Sequence, residues 1–148
     1  MTEPAEAESL DSLFAQICRL KHARIHTLLE ALGLYRGQPS VLQALWEREG
    51  QMHTELARRL QVQPATITKM LQRMEKTGFV ERRSDPDDHR VSRVYLTEAG
   101  RAVRADVQQV WRRLEEEVFA GFSHDEQVLL RRFFLQIREN LNRVTAGE

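Results

Sequence analysis

Residues 53–100 read HTELARRLQVQPATITKMLQRMEKTGFVERRSDPDDHRVSRVYLTEAG, and this stretch decides the fold. Its apolar spacing predicts two short helices, over 53–60 and 65–77, that are separated by a tight turn. Pro64 stands at the first position of the second helix, where its missing N–H leaves no hydrogen bond unmade. Gly78 follows as the residue that closes this helix. Two short helices joined so tightly predict a helix-turn-helix.

A β-hairpin is predicted directly after the second helix. Residues 79–83 and 91–96 have the composition of strands, and the Asp- and Pro-containing segment 84–88 between them is typical of a turn. Two strands with a long tip form a small β-wing, which we place at 80–96. Thr97 is a suitable N-cap for the helix that follows.

Amphipathic helices flank this segment on both sides. Apolar residues recur at helical spacing over 10–32 and again over 40–49. After the wing, one helix is predicted over 98–120, and Ser123 with Glu126 three residues later predicts a capping box at the start of a last helix. The predicted fold class is mostly α with a small β-wing: a winged helix-turn-helix with additional N- and C-terminal helices.

The composition is typical of a soluble globular chain. Of the 148 residues, 41% are hydrophobic and 30% are charged, which does not suit a disordered protein. No apolar run approaches the roughly 18 residues that cross a membrane. The N-terminus is acidic, unlike a secretory signal, and residues 1–8 are predicted to be a flexible tail. The single cysteine, Cys18, cannot form an internal disulfide, so we expect a cytoplasmic protein.

Positive charge is concentrated in the middle of the chain, although the net charge is zero. Residues 51–104 carry eleven Lys and Arg against seven Asp and Glu, whereas the rest carries eleven against fifteen. A basic centre between acidic flanks favours a local surface for a polyanion. A four-charge excess also arises by ordinary scatter, so this pattern alone does not decide the function.

The second helix of the motif has one apolar and one polar face. Ile67, Leu71 and Met74 lie at i, i+4 and i+7 and are expected to bury against Leu56 and Leu60 of the preceding helix. The outward side chains are short or basic: Gln63, Ala65, Thr66, Thr68, Lys69, Gln72 and Arg73. Such a face predicts that helix 64–77 lies in a major groove of DNA. The alternative is an ordinary solvated face.

Arginines are also frequent in the predicted hairpin, at Arg82, Arg83, Arg90 and Arg93. Arg90 falls at its tip. An arginine there is positioned to enter a minor groove while the helix occupies the neighbouring major groove.

The run 55–100 resembles the MarR family of bacterial transcription regulators. The helix-turn-helix part matches in ELA…T.TKML.RMEK.GFVER. The wing signature, D-x-R followed by LTE.G, is carried by Asp88, Arg90, Leu96, Thr97, Glu98 and Gly100. The family pattern extends over the flanking helices as well.

The resemblance implies roles for individual residues. Recognition-helix contacts with DNA would be made by Thr66, Thr68, Lys69 and Arg73. Arg90 would enter the minor groove, and Asp88 would orient the wing by pairing with an arginine. The predicted DNA-binding set is completed by Gln63, Ala65 and Arg83. Met52 and Gln63 depart from the small polar caps of the family, so the helix after Met52 is expected to begin less sharply.

The flanking helices carry more apolar surface than one small winged domain can cover, for example at Phe14, Ile17, Trp111 and Phe133. The resemblance implies that they interlock with a second copy about a two-fold axis, so that the operator is a pseudo-palindrome. We therefore predict a homodimer, with dimerisation helices at 9–37 and 98–145 and a DNA-binding domain at 38–97. An intramolecular bundle is the alternative.

The resemblance also implies regulation by a small anionic or phenolic effector, with release of a repressor as the family default. The candidate ligand-binding residues are His22, Arg24, His26 and Tyr35. Cys18, His22 and His26 share one stripe of the first helix, so a metal- or thiol-responsive regulator is an alternative. A solvated boundary face is the simpler interpretation of that stripe.

An enzyme is not expected. The sequence contains no GxSxG or HExxH motif, no phosphate-binding glycine loop and no Cys/His nucleophile pair. No cofactor and no metal site is predicted. A winged-helix module that binds protein instead of DNA is the remaining alternative, and it would require an apolar or acidic face on 64–77.

Overall fold

The computed structural model describes residues 8–147. In that part of the chain, six helices and three strands follow in the order α1 (Leu10–Glu30), α2 (Gln38–Glu47), β1 (Gln51–Met52), α3 (His53–Leu60), α4 (Pro64–Lys76), β2 (Val80–Ser84), β3 (Ser92–Leu96), α5 (Glu98–Val118) and α6 (His124–Ala146). The predicted fold class is confirmed. Except for Glu8, the predicted tail lies outside the described residues, and no helix among those described is long and apolar enough to span a membrane.

The three strands form one antiparallel sheet in the order β1-β3-β2. β2 and β3 are the arms of the predicted hairpin, and the pairing runs from Val80 opposite Leu96 to Ser84 opposite Ser92. β1 was not predicted, because two residues are too few to show an alternating pattern. Its Gln51 is almost completely buried, and the side-chain amide donates hydrogen bonds to the carbonyls of Ala44 (2.9 Å) and Arg48 (2.6 Å). The strand therefore also caps the end of α2.

The ends of the elements differ from the sequence prediction by one or two residues. α3 has the predicted bounds, whereas α2 begins and ends two residues earlier, after Gly37 at φ +82°. β2 begins at Val80 because Phe79 lies in the turn after the helix, where its N–H is bound to the carbonyl of Met74 at 2.9 Å. α3 has no side-chain cap from Met52, as the departure from the family pattern implied.

The core of the winged helix-turn-helix is built on the apolar face of α4. Ile67, Leu71 and Met74 are completely buried, as predicted, and so is Leu56 of α3. Leu60 and Met70 are half-buried at the edge. This packing fixes which face of α4 is left to solvent.

The chain divides after Leu114 into two compact units. The second unit contains the end of α5 and the whole of α6, which begins with the predicted capping box between Ser123 and Glu126. In α6 no residue is buried, and its exposed apolar side chains are Val128, Leu129, Phe133, Phe134, Leu135, Ile137, Leu141 and Val144. The assignment of 9–37 and 98–145 to dimerisation stays a prediction.

Gly100 forms the junction between the hairpin and α5. A Cβ atom at this position would overlap the backbone carbonyl oxygen of Phe79. That same oxygen accepts a hydrogen bond from the N–H of Thr97 at 3.1 Å, so it cannot easily move away. The carbonyl of Gly100 in turn accepts a hydrogen bond from Nε1 of Trp46 in α2, at 2.9 Å. Three elements therefore meet at a glycine that has no room for a side chain.

We expect Gly100→Ala to destabilise the protein by about 2 kcal/mol or more, because a methyl group would be forced against fixed backbone. Helix propensity alone predicts a gain of about 1 kcal/mol from the same change. The measurement is the free energy of unfolding from urea denaturation. Ala102→Gly at an exposed site of α5 calibrates the propensity effect, and a stabilised Gly100→Ala protein would contradict the packing argument.

Candidate nucleic-acid interface

The N-terminal turn of α4 presents a small, open surface. Gln63 is the N-cap residue, and no side chain caps the helix there. Its carbonyl accepts hydrogen bonds from the N–H groups of Thr66 (2.9 Å) and Ile67 (3.1 Å). Gln63, Ala65 and Thr66 are all exposed, as predicted. An uncapped helix N-terminus with small neighbours suits the close approach of a phosphate or a base edge.

Basic side chains continue this face along the helix. Lys69 and Arg73 are one turn apart and exposed, and within residues 8–147 neither side chain makes an ion pair or a hydrogen bond. Thr68 differs from the prediction in its environment, since it is half-buried and its hydroxyl donates to the carbonyl of Pro64 at 2.9 Å. Of the five residues between 65 and 73 that were predicted to contact DNA, four are therefore exposed and only Thr68 is not.

The base of the wing is organised by Asp85, which the sequence analysis did not single out. The carboxylate accepts hydrogen bonds from the N–H groups of Asp87 (2.8 Å) and Asp88 (3.3 Å) and from Nε of Arg93 (2.6 Å). The hydrogen bond from Arg93 and those from the turn lower the pKa of Asp85 below its usual value. Arg93 also donates to the carbonyl of Gly50 at 2.8 Å, which ties the wing to the loop before β1.

Arg90 lies at the tip of the wing, and its side chain is 92% exposed. Asp88 accepts hydrogen bonds at 3.1 Å from both the backbone N–H and Nε of Arg90. The pairing of Asp88 with an arginine, which the family resemblance implied, is therefore made with Arg90 itself. A contact this exposed is weak and can open when another anion approaches.

Two further arginines of the wing face carboxylates. Arg82 donates from Nε to Glu75 of α4 at 2.7 Å, and this bond both lowers the pKa of Glu75 and couples the helix to β2. Arg83 pairs with Glu81, and its guanidinium lies 4.4 Å from the centre of the Tyr95 ring. Arg83 is directly opposite Arg93 in the sheet. Like charges in that position repel, so Glu81 and Asp85 each compensate one of them.

His53 is a second residue that the sequence analysis missed. It begins α3, and its Nε2 is buried without a hydrogen-bond partner among the described residues. Burial lowers the pKa of His53, the positive Arg82 lowers it further, and Glu75 partly opposes them. The sequence gives no signal for this environment, because the charged residues near His53 come from other elements: Glu75 from α4 and Arg82 from β2.

The predicted ligand-binding residues lie on α1 and shortly after it. His22 and Tyr35 are exposed, while Arg24 and His26 are half-buried. The first unit contains a cavity of about 300 Å³ lined by residues of α2, α3 and α5, among them Trp46, Arg59 and Trp111. The second unit contains one of about 310 Å³ lined by residues such as Phe119, Arg131 and Phe134. None of the four predicted residues lines either cavity.

Cys18 is exposed on α1. Among the described residues there is no group of three or more His, Cys, Asp or Glu that could hold one metal ion. Cys18, His22 and His26 therefore do not form a three-ligand metal site. His22 and His26 do face each other, with their Nε2 atoms 3.0 Å apart.

Comparison with known proteins finds similarity to transcriptional regulators both in sequence and in structure. The model of the MarR family matches residues 34–92. An uncharacterized HTH-type transcriptional regulator of Bacillus subtilis (strain 168), YwoH, is 32% identical over 124 residues, which are 82% of this chain and 90% of that protein. A crystal structure of MarR has a TM-score of 0.70 at 30% identity, with 90% of this chain and 98% of that chain covered. A mutant MarR from E. coli complexed with operator DNA has a TM-score of 0.67 at 26% identity, with 86% and 92% covered.

We expect the free energy of unfolding to fall on acidification through the titration of His53. Its pKa is lowered in the folded state, so the contribution is complete above the unfolded value of about 6.5 and is lost as the pH falls from there toward the folded pKa. Urea denaturation between about pH 7.5 and about pH 5.5 measures this. His53→Gln should show a shallower pH dependence over that range. Identical slopes for both proteins would show that His53 is not the responsible group.

Proposed function

Because the chain belongs to the MarR family of transcriptional regulators, we propose that it binds double-stranded DNA in a sequence-specific manner. The relatives are named as transcriptional regulators rather than enzymes, in agreement with the sequence prediction. In the proposed complex, α4 lies in a major groove and the wing reaches the adjacent minor groove of a pseudo-palindromic operator. The MarR structure with operator DNA supports the proposal for this fold.

The observation that carries the proposal is the contrast between the basic side chains of α4 and those of the wing. Lys69 and Arg73 have no carboxylate partner in the described part of the chain, although most other cations of the domain do. Residues 66, 69 and 73 share one face of the helix because they are three and four positions apart. Two uncompensated cations beside short hydroxyl and methyl side chains suit phosphate and base contacts.

The wing supplies the second contact in the proposal. Arg90 is held at the tip by a weak, exposed pairing with Asp88, whereas Arg93 is held at the base by Asp85. This division leaves Arg90 available for a minor groove and gives Arg93 a structural role. Gln63, Ala65, Thr68 and Arg83 are the remaining residues that we propose at or near the DNA surface.

A winged-helix module that binds protein is the competing function. It would place apolar or acidic side chains on the open face of α4. The exposed residues there are instead Gln63, Ala65, Thr66, Lys69, Gln72 and Arg73, which are small, polar or basic. This composition supports a nucleic-acid partner.

We propose that the chain acts as a homodimer through α1 and the C-terminal helices. On α1, Leu10 is 87%, Ile17 54% and Leu20 70% exposed in the single chain, and α6 buries none of its residues. So many large apolar side chains on two long helices mark an interaction surface. A second copy would bury them and would bring two α4 helices to one operator.

We further propose that the bound protein represses transcription and that a small anionic or phenolic effector releases it. Arg24 and Tyr35 are the groups on and after α1 that suit such a ligand, through charge and through a phenol ring respectively. His22 and His26, which were predicted with them, are the remaining candidates and contact each other. Competition of benzoate with operator DNA, in the normal protein and in Tyr35→Ala, tests this step. No effect of benzoate or other aromatic anions on DNA affinity would count against it.

Binding to the DNA upstream of the encoding gene is expected to weaken in Arg90→Ala by about 1–3 kcal/mol, because a tip arginine in a minor groove is lost. Fluorescence polarisation with that DNA, at several salt concentrations, is the measurement. Arg143→Ala removes an exposed arginine, which pairs with Glu139, from α6 and is the control. Equal affinity of Arg90→Ala and the normal protein would reject the wing assignment, and a complete lack of salt-sensitive DNA binding would reject the function.

Sedimentation equilibrium is expected to give twice the 17.3 kDa mass of one chain. The double variant Ile17→Asp, Phe133→Asp should shift the protein toward monomer, because charges are placed on both exposed apolar helix faces. Asn140→Asp adds a charge at an exposed polar position of α6 and is the control. A normal protein that sediments as a monomer would refute the proposed assembly.

A further inference from the structure

Two histidines on α1 face each other across one turn of the helix. His22 and His26 are four residues apart, and the distance between their Nε2 atoms is 3.0 Å. The rings are close to perpendicular, at an interplanar angle of 81°, and their centres are 4.4 Å apart. The two Nε2 atoms therefore lie close enough together to bind the same ion.

The spacing of the two nitrogens suits one transition-metal ion. Metal–imidazole bonds are about 2.0–2.1 Å long, so two ligands at a right angle have nitrogens about 2.9 Å apart, and two at a tetrahedral angle about 3.3 Å apart. The observed 3.0 Å lies nearer the right-angle value. Right angles between neighbouring nitrogen ligands are typical of Cu²⁺ and Ni²⁺ sites.

The backbone that carries both histidines is held in place by its buried neighbours. Ile25, Leu28 and Leu29 of the same turns are buried, so this end of α1 is anchored to the first unit. Cys18 and Glu30 continue the same four-residue row on either side of the pair. Since the described residues contain no group of three such side chains that could share an ion, an ion bound by the pair would complete its coordination with water.

A hydrogen bond between the two rings is the competing explanation of the short distance. It requires one ring to carry its proton on Nε2 and the other to carry it on Nδ1. His22 is exposed and His26 half-buried, so water competes for both nitrogens. A metal ion binds the Nε2 lone pairs of both neutral rings at once, whereas a hydrogen bond uses the lone pair of only one ring.

We propose that His22 and His26 form a two-histidine site for a divalent first-row transition ion. Cu²⁺ is expected to bind most tightly, Ni²⁺ and Zn²⁺ less tightly, and Mg²⁺ not at all, since it prefers oxygen ligands. The site lies outside the DNA-contact face proposed on α4 and the wing, and the inference does not depend on DNA binding.

The test is calorimetric titration of the purified full-length protein with Ni²⁺ and Zn²⁺, which leave the thiol of Cys18 unoxidised. His22→Ala and His26→Ala should each lose at least about tenfold in affinity, because chelation by two linked ligands is reduced to binding by one. His89→Ala removes an exposed wing histidine and should bind normally, as should Cys18→Ser. Electron paramagnetic resonance of the Cu²⁺ complex should show two coordinated nitrogens, and fewer in either alanine variant.

The result that overturns the proposal is metal affinity unchanged in both His22→Ala and His26→Ala. Loss of binding in Cys18→Ser alone would also overturn it, because the thiol would then be the ligand. Unchanged circular dichroism of His22→Ala and His26→Ala confirms that the comparison is made between folded proteins. Failure of this test leaves the DNA-binding proposal intact, since that one is judged on operator affinity and on Arg90.

Discussion

The winged domain depends on the contact between the backbone of Gly100 and the carbonyl of Phe79. Phe79 ends the turn after α4, and Gly100 lies in the first turn of α5, so this contact sets where the hairpin begins and where the long helix leaves it. Thr97 and Trp46 complete the junction by donating hydrogen bonds to the carbonyls of Phe79 and Gly100. The glycine of the LTE.G signature is thus explained by lack of space for a Cβ atom, and α4, β2 and α5 are held at fixed positions around it.

The surface that we propose contacts DNA contains two kinds of basic residue. Arg82 and Arg93 are structural, because they pair with Glu75 and Asp85 and connect the wing to α4 and to the loop at Gly50. Lys69 and Arg73 project from α4 without such partners in the described chain. A count of basic residues in the sequence treats all four alike. Only Lys69 and Arg73, whose charges are not compensated by a carboxylate, add to the positive potential of the surface.

The helices and their buried faces could be predicted from sequence because they depend on local signals. Pro64, Gly78 and the spacing of Ile67, Leu71 and Met74 fixed the helix-turn-helix and its inner face, and these predictions were confirmed. Asp85 and His53 were missed for a common reason, since each acquires its role from residues of other elements: Asp85 from Arg93 of β3, and His53 from Arg82 of β2 and Glu75 of α4. β1 was missed because it is only two residues long. The roles proposed for the DNA-contacting residues remain predictions, since they concern a second molecule.

The internal pairing of the wing arginines has a consequence for the proposed binding to DNA. DNA carries condensed counterions, and a protein releases roughly one of them for each phosphate that it neutralises. An arginine that already faces a carboxylate contributes less to this release than an uncompensated one, so a complex of this protein should liberate fewer ions than its basic residues suggest. Attraction to arbitrary sequences would then be modest, and the regulator would leave wrong sites quickly. Discrimination among sites would rest on the fit of the short side chains on α4 rather than on bulk charge.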